Sequence, residues 1–156
     1  MLRFEYSSWI DAPVAVVFGF HERPDALELL TPPWPPVTVL RRPASLACGS
    51  IAELRIGIWP LSVRWVAHHI GYEPGRLFVD EQRSGPFAAW VHAHRFAPEN
   101  GGTRLLDSVE FALYGGAIAE TLLGWLVRRQ LRGMFRFRHE ITRRYCEAAP
   151  RATIGA

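Results

Sequence analysis

The alternation of apolar and polar residues predicts a first strand, two short helices and an extended crossing in the N-terminal part of the chain. Residues Leu2–Ile10 alternate with the period of a strand. The segment Asp11-Ala12-Pro13 follows, and a proline at this place suits the first turn of a helix over Pro13–His21. A second helical piece is predicted over Asp25–Leu30. The proline-rich stretch 32–36 then excludes both a helix and a central strand.

Six further strand patterns follow between the proline-rich stretch and the last helix. Glycine and proline turns separate most of them, because these residues supply the backbone conformations that tight turns require. The predicted strands are Val37–Arg42, Ser50–Ile58, Leu61–Tyr72, Arg76–Ser84, Ala88–Ala97 and Thr103–Leu113. Together with the first strand they indicate one long antiparallel sheet.

One amphipathic helix is predicted near Ala117–Ala148. Arg138 is a charged member of its otherwise apolar stripe, which comprises Leu123, Val127, Leu131, Met134, Ile141 and Tyr145. Because a helix with one apolar side must bury that side, the sheet is expected to curve around it. A hollow between the two layers would then be a natural ligand site.

Length and composition indicate one globular domain. The 156 residues are 49% hydrophobic and 21% charged, which excludes a disordered chain. We expect a single ligand-binding domain over residues 1–148 and a flexible tail over 149–156. No apolar run reaches the roughly 18 residues of a membrane span, and Met1–Tyr6 lacks the apolar core of a secretion signal. Cys48 and Cys146 have no metal or redox spacing, so free thiols and a cytoplasmic location are expected.

The positive charge is concentrated on the last helix. The net charge is +3, and residues 117–148 carry seven Arg against three Glu. A solvated face of a core helix explains this pattern. The alternative is a peripheral membrane contact, in which the arginines act together with Trp125 and Phe137. No nucleic-acid-reading module is visible, so no nucleic acid is expected as a partner. A monomer and a homodimer are both compatible with the sequence.

Polar residues interrupt the apolar pattern of three neighbouring strands. Residues two apart share a strand face, so His92 and His94 point the same way as Trp90 and Phe96. The turn at Gly85-Pro86 places Asp80 opposite His92, and Gln82 opposite Trp90. On the next strand, Asp107 lies within an apolar stripe. If these faces point inward, their polar side chains converge. This polar group comprises Asp80, Gln82, His92, His94 and Asp107, with Arg138 opposite on the last helix.

Three interpretations of this polar group remain open. The residues satisfy one another across the ladder or face solvent; they anchor a carbonyl or hydroxyl of a ligand; or a histidine beside a carboxylate acts as general base on an acidic C–H. The His92-x-His94 spacing with Asp80 or Asp107 also permits a metal, but such spacing is common by chance. No metal and no other cofactor is therefore expected. Phosphate loops, dinucleotide fingerprints and nucleophile motifs are missing.

Several motifs resemble a known superfamily. Ile10-Asp11-Ala12-Pro13 with the following Val16-Val17-Phe18 and the proline-rich break is similar to the START-like (SRPBCC) superfamily. The chain also resembles a bacterial branch of this superfamily that is labelled polyketide cyclase/dehydrase-like or coenzyme Q-binding-like. The residues that carry this resemblance are Asp80-Glu81-Gln82, Gly85-Pro86-Phe87, Trp90, His92, His94, Phe96, Thr103, Leu105, Asp107, Val109 and the run 128–131. Tyr114-Gly115-Gly116 departs from it, since relatives often carry a proline there.

The resemblance implies an α+β helix-grip fold. In that fold a seven-stranded curved antiparallel sheet wraps around a long C-terminal helix, with two short helices after the first strand. It also implies an apolar ligand between sheet and helix, such as a lipid, a quinone or a polyketide. Because the superfamily contains binding proteins, transfer proteins and enzymes, the fold alone does not define the function.

The sequence therefore favours a protein that binds, and in one version transports, a small hydrophobic molecule without turning it over. The expected lining is Trp65, Phe78, Trp90, His92, His94, Phe96, Val109, Phe111, Leu123, Val127 and Met134, with Asp80, Gln82, Asp107 and Arg138 as polar members. One alternative is a cofactor-independent polyketide cyclase or dehydratase with His92 or His94 as general base. Another is an interaction module whose cavity is filled by its own six Trp and nine Phe.

Overall fold

The computed structural model describes residues 1–58 and 60–148, so the expected tail at 149–156 lies outside the described residues. The elements follow the predicted order. They are β1 (Leu2–Ile10), α1 (Val14–His21), α2 (Ala26–Leu29), β2 (Val37–Arg41), β3 (Ile51–Ile56), β4 (Val63–Glu73), β5 (Leu77–Ser84), β6 (Ala89–Glu99), β7 (Gly102–Ala112) and α3 (Gly116–Glu147).

All seven strands form one antiparallel sheet in the order β1-β7-β6-β5-β4-β3-β2. Strands β2 to β7 are a meander, and β1 closes the far edge by pairing with β7 from Leu2 opposite Phe111 to Ile10 opposite Thr103. With the long α3 across the sheet, this arrangement confirms the expected α+β helix-grip fold.

Tight turns set the register of the sheet beside the polar group. Asn100 and Gly101 connect β6 to β7 with φ angles of 49° and 77°. Positive φ at both central residues is the signature of the hairpin turn whose twist matches the strands. The register it sets places His94 opposite Asp107. On the other side of β6, Asp80 lies opposite His92, as predicted.

The buried side of α3 differs from the predicted stripe. Leu123 is 51% exposed and Tyr145 is 43% exposed. The buried residues are instead Gly124, Leu131, Phe135, His139, Thr142 and Cys146. Only Leu131 and Phe135 among these are large and apolar, so a count of apolar residues places the stripe about one position away from its true face. The prediction was wrong at the two ends of the helix for this reason.

The apolar core consists of two clusters with the polar group between them. One cluster joins α1 to the sheet around Phe18, Phe96 and Leu105. The other joins α3 to the sheet around Phe111 and Phe135. Because α3 packs on the sheet mainly at β1 and to a lesser extent at β7, it leaves the β3–β6 part of the sheet to be covered by other segments. Among the described helices, none has the length and apolar character that a bilayer crossing needs.

Candidate functional site

A cavity of about 230 Å³ lies between strands β3–β6, the segment from α2 to the proline-rich stretch, and the middle of α3. Most of its wall is apolar. Eight residues of the predicted site border it, namely Trp65, Phe78, Asp80, Trp90, His92, His94, Met134 and Arg138. A largely apolar cavity with a few convergent polar groups is the common design of a small-molecule site.

Four predicted lining residues are covered by other side chains and do not border the cavity. Phe96 packs beneath α1 with its ring centroid 5.1 Å from that of Phe18. Val109 and Phe111 are fully buried in the cluster beneath α3. Asp107 lies behind His92 and His94, where it supports the cavity wall from below.

Three further predicted residues lie away from the cavity for separate reasons. The side-chain amide of Gln82 donates to the carbonyl of Phe87 (2.7 Å) and so braces the β5–β6 turn. Val127 packs against the cluster around Phe111. Leu123 is exposed because it lies outside the side of α3 that faces the sheet.

The wall contributed by α2 and the proline-rich stretch was not anticipated from the sequence. Its members include Ala26, Leu27, Leu30, Pro32 and Pro35. The sequence indicates that this stretch must cross the molecule in an extended form, but it carries no signal of what the crossing covers. Two histidines, His21 and His69, also border the cavity and were not among the predicted residues.

Asp107 is the centre of the polar group. It is 3% exposed. Its Oδ1 accepts a hydrogen bond from His92 Nε2 (2.8 Å) and lies 2.7 Å from His94 Nδ1. Its Oδ2 accepts from His139 Nε2 (2.6 Å). Three imidazole donors therefore compensate one buried carboxylate, which would otherwise be costly to bury.

His139 extends this network to the edge strand and was not predicted. Its Nδ1 lies 2.6 Å from Ser8 Oγ on β1. In the tautomer whose Nε2–H donates to Asp107, Nδ1 accepts a hydrogen bond from the Ser8 hydroxyl. Tyr6 packs edge-on against the ring, with 4.7 Å between centroids. The only sequence signal for the inward position of His139 is its spacing of four residues from the apolar Phe135.

Asp80 provides a second carboxylate, at the cavity side of the same histidines. Its Oδ2 lies 3.5 Å from His92 Nδ1 and 3.5 Å from His94 Nε2. The rings of His92 and His94 are stacked obliquely, 3.7 Å between centroids, with Phe78 against the other side of His94. The sheet register and this stacking leave the two imidazoles little rotational freedom.

The surroundings shift the pKa values of these groups in opposite directions. Burial lowers the pKa of His92, but the contacts with Asp107 and Asp80 outweigh it and raise that pKa to about 9. Burial raises the pKa of both carboxyls, yet their histidine partners hold the pKa of Asp80 and of Asp107 well below the usual range. For His21, burial is the largest effect, and it lowers the pKa to about 4 although a hydrogen bond to the carbonyl of Val17 acts against it.

Arg138 faces this cluster from α3. Its Nε donates to the carbonyl of Leu30 (3.1 Å). Burial lowers the pKa of the guanidinium, and Asp107 and Asp80 act against that shift; an arginine nevertheless stays charged at neutral pH. Among the described residues it forms no direct ion pair, so a partly buried cation borders the cavity without a carboxylate of its own.

Comparison with protein families places this geometry in a known group. Residues 10–137 match the model of the family described as "Polyketide cyclase / dehydrase and lipid transport". The chain belongs to this family. The matched residues run from the end of β1 to the middle of α3 and contain Asp80, His92, His94 and Asp107. No curated protein matches the sequence.

Solved structures with this family's fold cover almost all of the chain. The protein TTHA0849 from Thermus thermophilus has a TM-score of 0.73 and 17% identity, over 96% of this chain and 100% of that one. A nucleoside-diphosphate sugar epimerase from Corynebacterium glutamicum has a TM-score of 0.72 and 28% sequence identity; the match covers 92% of this chain and 28% of the epimerase. The di-domain ARO/CYC StfQ of the steffimycin biosynthetic pathway has a TM-score of 0.71 and 13% identity; the match covers 93% of this chain and 50% of StfQ.

Proposed function

We propose that the protein binds a small hydrophobic molecule, such as a lipid, a quinone or a polyketide, and that binding is its principal role. The observation that carries this proposal is the apolar cavity of about 230 Å³ with its polar groups gathered on one wall. The family description, which includes lipid transport, supports it. The open volume argues against an interaction module whose own aromatic side chains fill the hollow.

Arg138 suggests which ligands fit best. Only the Nε of Arg138 has a hydrogen-bond acceptor among the described residues. A guanidinium with further donors beside an apolar cavity favours an oxygen anion or a strongly polarised carbonyl, because Arg hydrogen bonds to charged acceptors are among the strongest in proteins. The preferred ligand is therefore an amphiphile with one acidic or carbonyl end near Arg138. Its apolar body would lie against Trp65, Trp90 and Met134.

Matched probes test this proposal by titration calorimetry. Decanoate and 1-decanol share one chain and differ in the head group. We expect wild-type protein to bind decanoate at one site per chain, about tenfold more tightly than decanol. Arg138→Met should abolish this preference while decanol still binds.

Arg136→Met is the control, because Arg136 lies on the same helix but is exposed. It should bind both probes as wild type does. If neither probe binds wild-type protein, and extraction of the purified protein yields no hydrophobic molecule, the proposed function is wrong. An unchanged preference in Arg138→Met would instead remove Arg138 from the site.

Catalysis on the bound molecule is the second candidate function. His94 and Asp80 border the cavity while Asp107 holds the other side of the imidazole. This arrangement suits proton transfer at an acidic C–H, as a cyclisation of a β-dicarbonyl compound requires. His92 is the weaker candidate for the base, because its raised pKa keeps it protonated at neutral pH.

A substrate of that class separates the two candidates. An enzyme should cyclise or dehydrate a poly-β-carbonyl compound, and His94→Phe should lower the rate by about two to four orders of magnitude while ligand affinity is largely kept. A binding protein should accelerate none of these reactions above the rate in buffer, and His94→Phe should alter affinity instead.

The first turns of α3 also support a contact with membranes. Ile118, Leu122 and Trp125 are 75%, 65% and 62% exposed and, at spacings of four and three, share one helix face. Arg129 and Arg132 continue that face. Exposed apolar side chains beside arginines fit the surface of an anionic bilayer, from which a hydrophobic ligand could be collected.

Vesicle sedimentation tests the membrane contact. The protein should sediment with vesicles of phosphatidylcholine and phosphatidylglycerol and much less with phosphatidylcholine alone. Leu122→Gln with Trp125→Gln should abolish sedimentation, whereas the exposed Val63→Gln on β4 should not. If the double variant instead converts a dimer to a monomer in solution without changing sedimentation, the patch is an interface between two copies of the chain.

A further inference from the structure

Three metal-ligating atoms converge on the polar wall of the cavity. His92 Nδ1 and His94 Nε2 each lie 3.5 Å from Asp80 Oδ2, and a set of one ligand atom from each residue lies within 4.8 Å of one another. The histidines are buried and Asp80 is partly exposed towards the cavity. Rigid strands β5 and β6 carry all three side chains.

Asp107 determines which nitrogen of each imidazole carries the proton. The far nitrogen of His92, Nε2, donates to its Oδ1, and the far nitrogen of His94, Nδ1, lies 2.7 Å from the same oxygen, which favours the tautomer with the N–H at that nitrogen. A neutral imidazole carries a single N–H, so each ring then turns a lone pair towards Asp80. The Asp80 carboxylate also has no proton to donate. With both rings neutral, three acceptors thus face one point, an arrangement that is costly unless a positive charge occupies it. A proton on His92 or a metal ion can supply that charge.

The distances suit an ion between the atoms better than direct hydrogen bonds. A charge-assisted hydrogen bond would bring nitrogen and oxygen to about 2.8 Å. Two ligands of a tetrahedral ion, each about 2.1 Å from it, are about 3.4 Å apart. The two separations of 3.5 Å are close to this second value.

The charges and the outer contacts agree with a cation. A metal ion bound here would displace the proton from His92 and leave both imidazoles neutral. Asp80 and Asp107 would then carry two negative charges, and Arg138 supplies one positive charge from the opposite side. In histidines that bind metals, the N–H of the other ring nitrogen usually donates a hydrogen bond to a carboxylate, which fixes the tautomer and the ring orientation. Asp107 makes this contact with both histidines at once.

We propose that Asp80, His92 and His94 form a binding site for a divalent transition-metal ion of the zinc class, and that Asp107 is its positioning residue. Three protein ligands leave at least one coordination position open towards the cavity. A water molecule or an oxygen of a bound molecule would complete the coordination. This site goes beyond the proposed hydrophobic ligand and does not depend on it.

Zinc binding to chelator-treated protein tests the proposal. Calorimetry against a competing chelator should show one Zn²⁺ per wild-type chain. Asp80→Asn, which keeps the shape of the side chain, should weaken binding by at least about 100-fold, and Asp107→Asn by about 10- to 100-fold. Co²⁺ in place of Zn²⁺ should give the intense visible absorption of a four-coordinate ion, and Asp80→Asn should remove it.

His69→Gln is the matched control, because His69 is also buried and borders the cavity but is outside the set. It should bind Zn²⁺ as wild type does. The proposal is overturned if wild-type protein takes up no stoichiometric Zn²⁺, which would leave a proton as the occupant, or if Asp80→Asn binds it unchanged. Circular dichroism checks that each variant folds. If Asp107→Asn does not fold, Asp80→Asn still tests the proposal. Decanoate binding is measured separately, so failure of one proposal leaves the other testable.

Discussion

At the scale of single residues, Asp107 organises the polar group beneath the cavity. One carboxylate orients three imidazoles that come from β6 and α3, and through His139 it reaches Ser8 on β1. Such a network is stable because both oxygens of the buried Asp107 carboxylate have imidazole partners. Loss of the central charge leaves donors without an acceptor, which costs more than loss of a surface pair.

Asp107→Asn should therefore destabilise the protein by about 3–5 kcal/mol. The amide that replaces one carboxylate oxygen turns N–H groups towards a histidine N–H. Urea unfolding at pH 7 measures the change. Asp25→Asn is the control, because Asp25 forms an exposed pair with Arg23 and should cost less than about 1 kcal/mol. Equal losses in the two variants would contradict the central role of Asp107.

His21 should make the stability depend on pH. Its pKa is about 4 in the folded protein against 6.5 in the unfolded chain, so between these values the unfolded state binds more protons. The free energy of unfolding must then fall as the pH is lowered from about 7 to about 4, and His21 adds no further loss below that.

The contribution of His21 is on the order of 3 kcal/mol. Urea unfolding of wild type and His21→Gln at several pH values isolates it, because the other titrating groups are common to both proteins. The gap between the two curves should change by this amount between pH 7 and pH 4. Parallel curves would show that His21 does not titrate with a depressed pKa.

At the scale of elements, the edge pairing of β1 with β7 depends on a glycine. A Cβ added to Gly102 would lie 2.4 Å from the carbonyl oxygen of Ile10 and 2.8 Å from the ring of Trp9. The close approach is useful, because the ring nitrogen of Trp9 donates to the carbonyl of Glu99 at this turn (2.8 Å). This hydrogen bond and the close approach at Gly102 hold β1 against the β6–β7 hairpin.

Gly102→Ala should lower the free energy of unfolding by about 1–3 kcal/mol, because backbone cannot easily move aside. Gly133→Ala is the matched change in α3, where an added Cβ meets nothing within 4 Å. It should raise stability by about 0.5–1 kcal/mol through a better helix propensity. Thermal unfolding followed by circular dichroism distinguishes the two, and equal effects would contradict the account of the edge.

At the scale of the whole molecule, the cavity exists because no single element covers the sheet. The long helix packs on one side of it, at β1 and β7, and the proline-rich stretch covers the other side. The polar group lies at the boundary between these two covers. A ligand held there would contact both, so ligand binding should stabilise the fold as a whole.

A larger side chain that fills the cavity should weaken ligand binding without destabilising the fold. Ala67 on β4 borders the cavity, and Ala67→Phe should weaken decanoate binding by at least about tenfold while the free energy of unfolding stays equal or rises, since empty volume is occupied. Ala88→Phe, in an exposed turn, should leave both quantities unchanged. Normal decanoate affinity in Ala67→Phe would place that probe elsewhere on the protein.

Much of this architecture follows from local patterns in the sequence. Strand faces have a period of two, and tight glycine turns leave little choice of register. That is why Asp80 and His92 could be placed opposite each other by counting, and why His92, His94 and Asp107 were expected to converge. The number and order of the elements follow from the same patterns.

The tertiary structure decided the rest, because it depends on which distant segments meet. His139 joins the network from 32 positions after Asp107, and Ser8 joins from β1; no local period links them. The true side of α3 is set by packing against β1 and β7, which accepts Gly124, His139 and Thr142 as buried residues. The cavity wall from α2 and the proline-rich stretch likewise arises from packing alone. Periodicity determines which way a side chain points on its own element, and only the packing of elements determines what it meets there.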